Sequence, residues 1–244
     1  MAVQTVAQLG GIVVSPEEAK TMTKMQSMAS KMWAPFLVMG FMIVVISLII
    51  GAVNASVAAD YFDFDQETRG LAGTGSNLAE KKAFIEATKA WLPGFQFLGM
   101  GMILGGITFA LATILGNLKV GGGRVQEAIG KGTMVIKPPM TAKMFPMLMM
   151  MGMMVLMATL IIGIVEAAIA ADYWDHSIAN ELNVAPEGSD LLSDLGTIQA
   201  VGAWLAPLKF VGLALLLSGI TLALATIVKV LRFQTTRVVD LIQE

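Results

Sequence analysis

The chain contains no cysteine and a single histidine, His176. The first absence excludes disulfides, thiolate metal sites and a cysteine nucleophile. The second excludes a His-rich metal cage built within this chain alone. Charge is scarce as well: Asp, Glu, Lys and Arg make up 14% of residues, where a soluble domain carries about a quarter. A net charge of -2 supplies no basic surface for nucleic acid, and no partner of that class is expected. The N-terminus has no positive residue before Lys20, and Glu17 and Glu18 follow its short apolar stretch. That order is the reverse of a secretory signal, so no cleaved leader is expected.

What the chain has is apolar surface. Hydrophobic residues make up 56% of it and its mean hydropathy is +0.73, the composition of a largely lipid-embedded protein. Four long apolar segments stand out, at about 34–59, 92–118, 146–171 and 205–230. Each exceeds the roughly 20 residues an α-helix needs to cross about 30 Å of hydrocarbon. In lipid the backbone must satisfy its own hydrogen bonds, so these segments are predicted as helices.

Residues 58–63 read AADYFD and residues 170–175 read AADYWD, 112 positions apart. Aligned without gaps, 31–63 and 143–175 share 16 of 33 residues, including Gly40 with Gly152 and Gly51 with Gly163. One inserted residue later, AWLPGFQFLGMGMILGGITFALATIL (90–115) matches AWLAPLKFVGLALLLSGITLALATIV (203–228), and Arg124-Val125 pairs with Arg237-Val238. Apolar composition alone does not produce shared DY and AW pairs at a common offset. The expected fold is an all-α integral membrane protein of four transmembrane helices. It is a tandem duplication of a two-helix hairpin, with a short N-terminal amphipathic helix. A unit with an even number of spans returns to its starting side, so the repeats should be parallel, related by an axis along the membrane normal.

This reading divides the chain into an N-terminal cytoplasmic segment (1–33), a first hairpin (34–118), a cytoplasmic linker (119–143), a second hairpin (144–231) and a cytoplasmic tail (232–244). Orientation follows from loop charge. Lys20, Lys24 and Lys31 precede the first span, and Lys119, Arg124, Lys131, Lys137 and Lys143 fill the linker. The 172–204 loop holds six acids and no Lys or Arg. The positive-inside rule places both termini in the cytoplasm, with the bacterial inner membrane as the expected location. All four tryptophans and both tyrosines fall at predicted span ends, where amphipathic rings favour the headgroup layer.

Several patterns bear on chemistry. The 144–157 run MFPMLMMMGMMVLM carries eight methionines. Thioether sulfur is a soft Cu(I) ligand, yet consecutive residues point all around a helix, and methionine is an adaptable packing residue. Packing is the expected role. Ser15-Pro16-Glu17-Glu18 has the form of a capping box. Met22, Met25, Ala29 and Met32 then share one face, suited to a membrane surface or a partner helix. The loops offer Asp60, Asp63, Asp65 and Glu67, then Asp172, Asp175, His176 and Glu181. Their spacing matches no closed metal motif, so no metal or cofactor is expected. Gly130-Lys131-Gly132-Thr133 lacks the earlier glycine of a phosphate loop. Gly99, Gly101, Gly105 and Gly106, with counterparts Gly212, Ala214, Ser218 and Gly219, are predicted to let helices approach closely.

Apart from Lys229 at the end of the last span, two ionisable residues fall inside the spans. Glu166 lies six residues before Asp172 and Lys209 five after Trp204, so both are about 8–9 Å below the same interface. Charges there are costly and commonly pair. The equivalent residues of the first hairpin are Asn54 and Gln96, and both pairs are expected to clasp neighbouring helices. Nothing continues a charged path across the bilayer, and no catalytic constellation is present in the sequence. The chain therefore reads as a non-catalytic scaffold or accessory subunit, in contact with the lipid bilayer and with other integral membrane subunits in a hetero-oligomer. The alternative is a small oligomeric transporter or channel; a metal-dependent enzyme would need ligands the chain hardly supplies.

Overall fold

The structure, a computed structural model, describes residues 16–128 and 140–243, with side chains over 27–118 and 140–236. Ser15 and the 130–133 run lie outside the described residues, as do the side chains of Met22, Met25 and Arg124. Helix makes up 90% of the structure, and the described residues contain no strand. Four long helices, α1 (Pro16–Phe62), α3 (Asn77–Ala128), α4 (Met140–Asp175) and α5 (Asp190–Gln243), are joined by the short α2 (Gln66–Gly70) and one π-helical turn (Ile178–Leu182). Each long helix contains a stretch long and apolar enough to cross a membrane, and their exposed apolar side chains fit contact with lipid.

The helix ends differ from the sequence reading. The segment predicted as a separate amphipathic helix is continuous with the first span, and α1 runs unbroken for 47 residues. Nothing between Ala29 and Ala34 stops a helix, and Pro35 is absorbed within it. Likewise α3 extends ten residues beyond 118, into the predicted linker. At the opposite ends, α3 and α5 start on the same device. Gly75 and Gly188 take positive φ (67° and 80°), a region glycine enters without steric cost. Ser76 and Ser189 follow, and their hydroxyls accept from Ala79 N and Leu192 N, satisfying orphan donors of the first turn. Asp65 caps α2 by accepting from the Thr68 N–H (2.8 Å) and hydroxyl (2.7 Å); these bonds hold its carboxyl below the usual carboxylate range.

The chain forms two compact units, each drawing on all four long helices. One comprises residues 1–38, 103–151 and 215–244. Its core is Leu115, Phe145, Ala223 and Ile227, flanked by Leu111, Ala142 and Val230. Buried Thr226 donates to Thr141 (2.8 Å), and Gln234 Nε2 donates to the Leu118 carbonyl (2.8 Å). Gly106 abuts α1 so closely that a methyl group there would stand 3.0 Å from both Leu37 N and Trp33 O. Gly219 meets Phe145 O and Met149 N of α4 in the same way, at 3.2 and 3.6 Å.

The other unit comprises residues 39–102 and 152–214 and contains both hairpin turns. Gly99 lies against Val44 and Gly40 O; Gly212 lies against Leu156 and Gly152 O. These contacts recur residue for residue at spacings of 112 to 113. So do buried Ser47 and Thr159, each donating to the carbonyl three residues back at 2.8 Å.

The two turns are tied together. Gly75 N donates to Asp175 O (3.2 Å), Ser177 N donates to Thr74 Oγ1 (3.0 Å), and Thr74 Oγ1 donates to Glu181. Tyr61 and Tyr173 are buried within this unit. The Arg69 guanidinium lies 5.4 Å from the Tyr61 ring, and the Lys82 ammonium lies 4.5 Å from the Trp174 ring. These contacts place cations on aromatic faces, where the ring quadrupole attracts them.

Candidate functional site

A cleft of about 310 Å³ opens in the second unit between α3, α4 and α5. The sequence explains its walls. Small residues at Ala90, Gly202 and Ala206 keep it open, and Pro93 prevents Lys89 O from receiving the usual helical N–H four residues on. Phe97 and Phe210, which align in the two halves of the sequence, meet edge to face with centroids 5.3 Å apart. Close approach of α3 to α4 supports the cleft. A methyl group on Gly163 would stand 3.1 Å from Ala90 O, and one on Gly94 would stand 3.2 Å from Leu160 Cα.

Glu166 and Lys209 both line this cleft, although each residue retains only 7% of its exposure. Glu166 comes from α4, where Oε1 lies 3.4 Å from the position a Gly202 side-chain methyl would take. Lys209 comes from α5, beside the Phe210 ring. The two charges act on each other electrostatically, but no hydrogen bond, and no ion pair within 4.0 Å, joins them. At the cleft wall, Lys89 Nζ binds Glu86 Oε1 (3.0 Å), which Lys82 also holds at 2.7 Å. Two ammonium groups on one carboxylate leave a net positive charge there.

Asn54 and Gln96 are likewise joined by no hydrogen bond, and Asn54 Oδ1 is buried without a partner. Of the predicted packing residues, Gly99, Gly105, Gly106, Gly212 and Gly219 lie at helix contacts, Gly105 against the Phe36 ring at 3.4 Å. Gly101 is buried, whereas Ala214 and Ser218 are exposed. Gly94, Gly163 and Lys89 carry the α3–α4 and cleft contacts without having been singled out. The signal available for Gly163 was its alignment with Gly51, not four-residue spacing; Gly94 aligns with Pro207 and carried no such signal.

Some loop acids are engaged locally, whereas Asp175 Oδ1 is buried without a hydrogen-bond partner. Asp60 faces Lys81 at 3.8 Å, and Glu181 meets His176 Nε2 at 3.8 Å. No group of three or more His, Asp or Glu side chains that could hold a metal forms among the described residues. In the methionine run, Met147, Met150 and Met154 are exposed while Met149 is buried, so its sulfurs point to different surroundings. Compared with known proteins, the chain matches no protein family, no curated protein and no solved structure.

Proposed function

We propose that this protein is a non-catalytic scaffold or accessory subunit of a larger membrane assembly. It is built by tandem duplication of a helical hairpin, with both termini cytoplasmic in a bacterial inner membrane. One observation carries the reading: in its most apolar stretch α1 has only 11% of its residues buried, against 44% for α3. A helix so little covered by its own chain offers a long face of Phe41, Val45, Leu48 and Ile49 to neighbouring subunits or lipid. The recurrence of the Gly99 and Gly106 contacts at Gly212 and Gly219 supports the duplication.

Gentle solubilisation of native membranes, followed by purification and mass spectrometry, tests the scaffold role. Other integral subunits are expected in stoichiometric amount. A protein that runs alone and carries solute flux in liposomes would instead be the small oligomeric transporter or channel, a second reading favoured by the charged cleft. Against that reading, Glu166 and Lys209 sit at one depth with no further charge leading on from them through the spans.

Topology has its own test. Cysteines introduced at Gly73 and Glu187, both exposed and clear of the serine caps, are expected to react with an impermeant maleimide in intact cells. A cysteine at Ser27 is expected to stay protected. The opposite pattern would invert the orientation.

A further inference from the structure

We propose that the cleft binds the headgroup of a phospholipid bearing a primary amine, with Glu166 accepting from the ammonium and Lys209 and Lys89 holding the phosphate. Glu166 and Lys209, residues each 7% exposed, bring one carboxylate and one ammonium to a shared cleft, yet these groups do not bond to each other. Burying either charge without a hydrogen-bonding partner is costly. A ligand carrying both signs of charge satisfies both at once, which a purely anionic or neutral ligand does not. The positive excess of Lys82 and Lys89 around Glu86 favours a phosphate on the Lys89 side.

Size and surroundings point to a lipid as the source of this chemistry. At about 310 Å³ the cleft lies at the lower limit of ligand pockets, roughly 300–1,000 Å³, and admits a headgroup rather than a whole lipid. Gly202, Ala206 and Phe210 follow one another at four-residue steps along α5, and all three are exposed, Phe210 to 63%. The cleft therefore opens sideways onto an apolar strip of helix, where acyl chains would lie. The proposal needs the bilayer setting but not the partner subunits, so a failure to co-purify partners leaves it standing.

The test is native mass spectrometry of delipidated protein titrated with phosphatidylethanolamine, phosphatidylcholine or phosphatidylglycerol. One phosphatidylethanolamine is expected to be retained about tenfold or more tightly than either of the others, the size of a charge-assisted hydrogen bond. Glu166→Gln should abolish the preference over phosphatidylglycerol, and Lys209→Gln should weaken retention of all three. Ala206→Trp, which fills the cleft from an exposed position and alters no charge, should abolish tight retention in a folded protein. It carries the test if a charge variant does not fold. Equal retention of the three lipids, or Ala206→Trp binding like the parent, would overturn the site. Displacement of the lipid by millimolar soluble phosphoethanolamine would overturn the lipid assignment in favour of a free zwitterion.

Discussion

Replacing Glu166 with glutamine is expected to destabilise the protein by up to roughly 2.5–3.5 kcal/mol, the insertion cost of an uncompensated charge in a helix centre. Lys209 has little room to escape, because it is itself 7% exposed, although snorkelling toward the nearby helix boundary will reduce the cost. In the parent protein the opposing charge shares the cleft and acts on it; in the variant nothing does. The double change Glu166→Asn with Lys209→Gln is expected to be less damaging than Glu166→Gln alone. It reproduces the residues of the other hairpin, where Asn54 already tolerates an unpaired buried oxygen. A neutral amide without a partner costs less than an unpaired ion. A double-mutant cycle on unfolding in detergent measures the coupling, which is the part of the interaction belonging to neither residue alone. A coupling energy of zero would mean that the two charges are satisfied independently, and the shared-cleft account would fail.

The second large effect is expected at Gly106. A leucine there must place its Cβ 3.0 Å from Leu37 N and Trp33 O. Both are backbone atoms of a continuous helix, so relief requires α1 and α3 to move apart. Overpacking of this kind typically costs about 1–3 kcal/mol, and Gly106→Leu should reach the upper part of that range. Gly219→Leu should cost somewhat less, because its nearest backbone atom is 3.2 Å away. Gly196→Ala serves as the control of opposite sign. Gly196 is a helical residue with nothing within 4 Å of an added methyl. Alanine there should stabilise by roughly 0.5–1 kcal/mol through helix propensity alone. Denaturant titration in micelles, followed by tryptophan fluorescence, reads all three. If Gly106→Leu proves as harmless as Gly196→Ala, the close helix contact is absent in the protein.

The four long helices were legible in the sequence because their signal is local and strong: a run of apolar residues without charges needs no knowledge of its neighbours. Gly99, Gly106, Gly212 and Gly219 were legible too, since small residues that recur in both halves mark a contact each half makes. The same spacing argument failed at Ala214 and Ser218, which face outward. Spacing along one helix fixes which residues share a face but not which face meets a partner. Helix ends were read poorly. Hydropathy fades where α1 and α3 run beyond the predicted spans, and α3 also crosses Gly121-Gly122-Gly123, residues of low helix propensity, so nothing local in the sequence marks that extension. The Gly75-Ser76 and Gly188-Ser189 starts carry their signal in φ and a single hydroxyl.

Counting residues sets how far Glu166 and Lys209 stand along their helices from Asp172 and Trp204, because an α-helix converts number into height. That they share a cleft with Lys89 and Phe97 of α3, and do so without bonding to each other, depends on how three helices are rotated about their own axes. Sequence alone determined the four long apolar helices. Tertiary packing decided the rotations, and through them which side chains face one another, because that choice is made by backbone approaches at Gly94 and Gly163 that no single helix encodes.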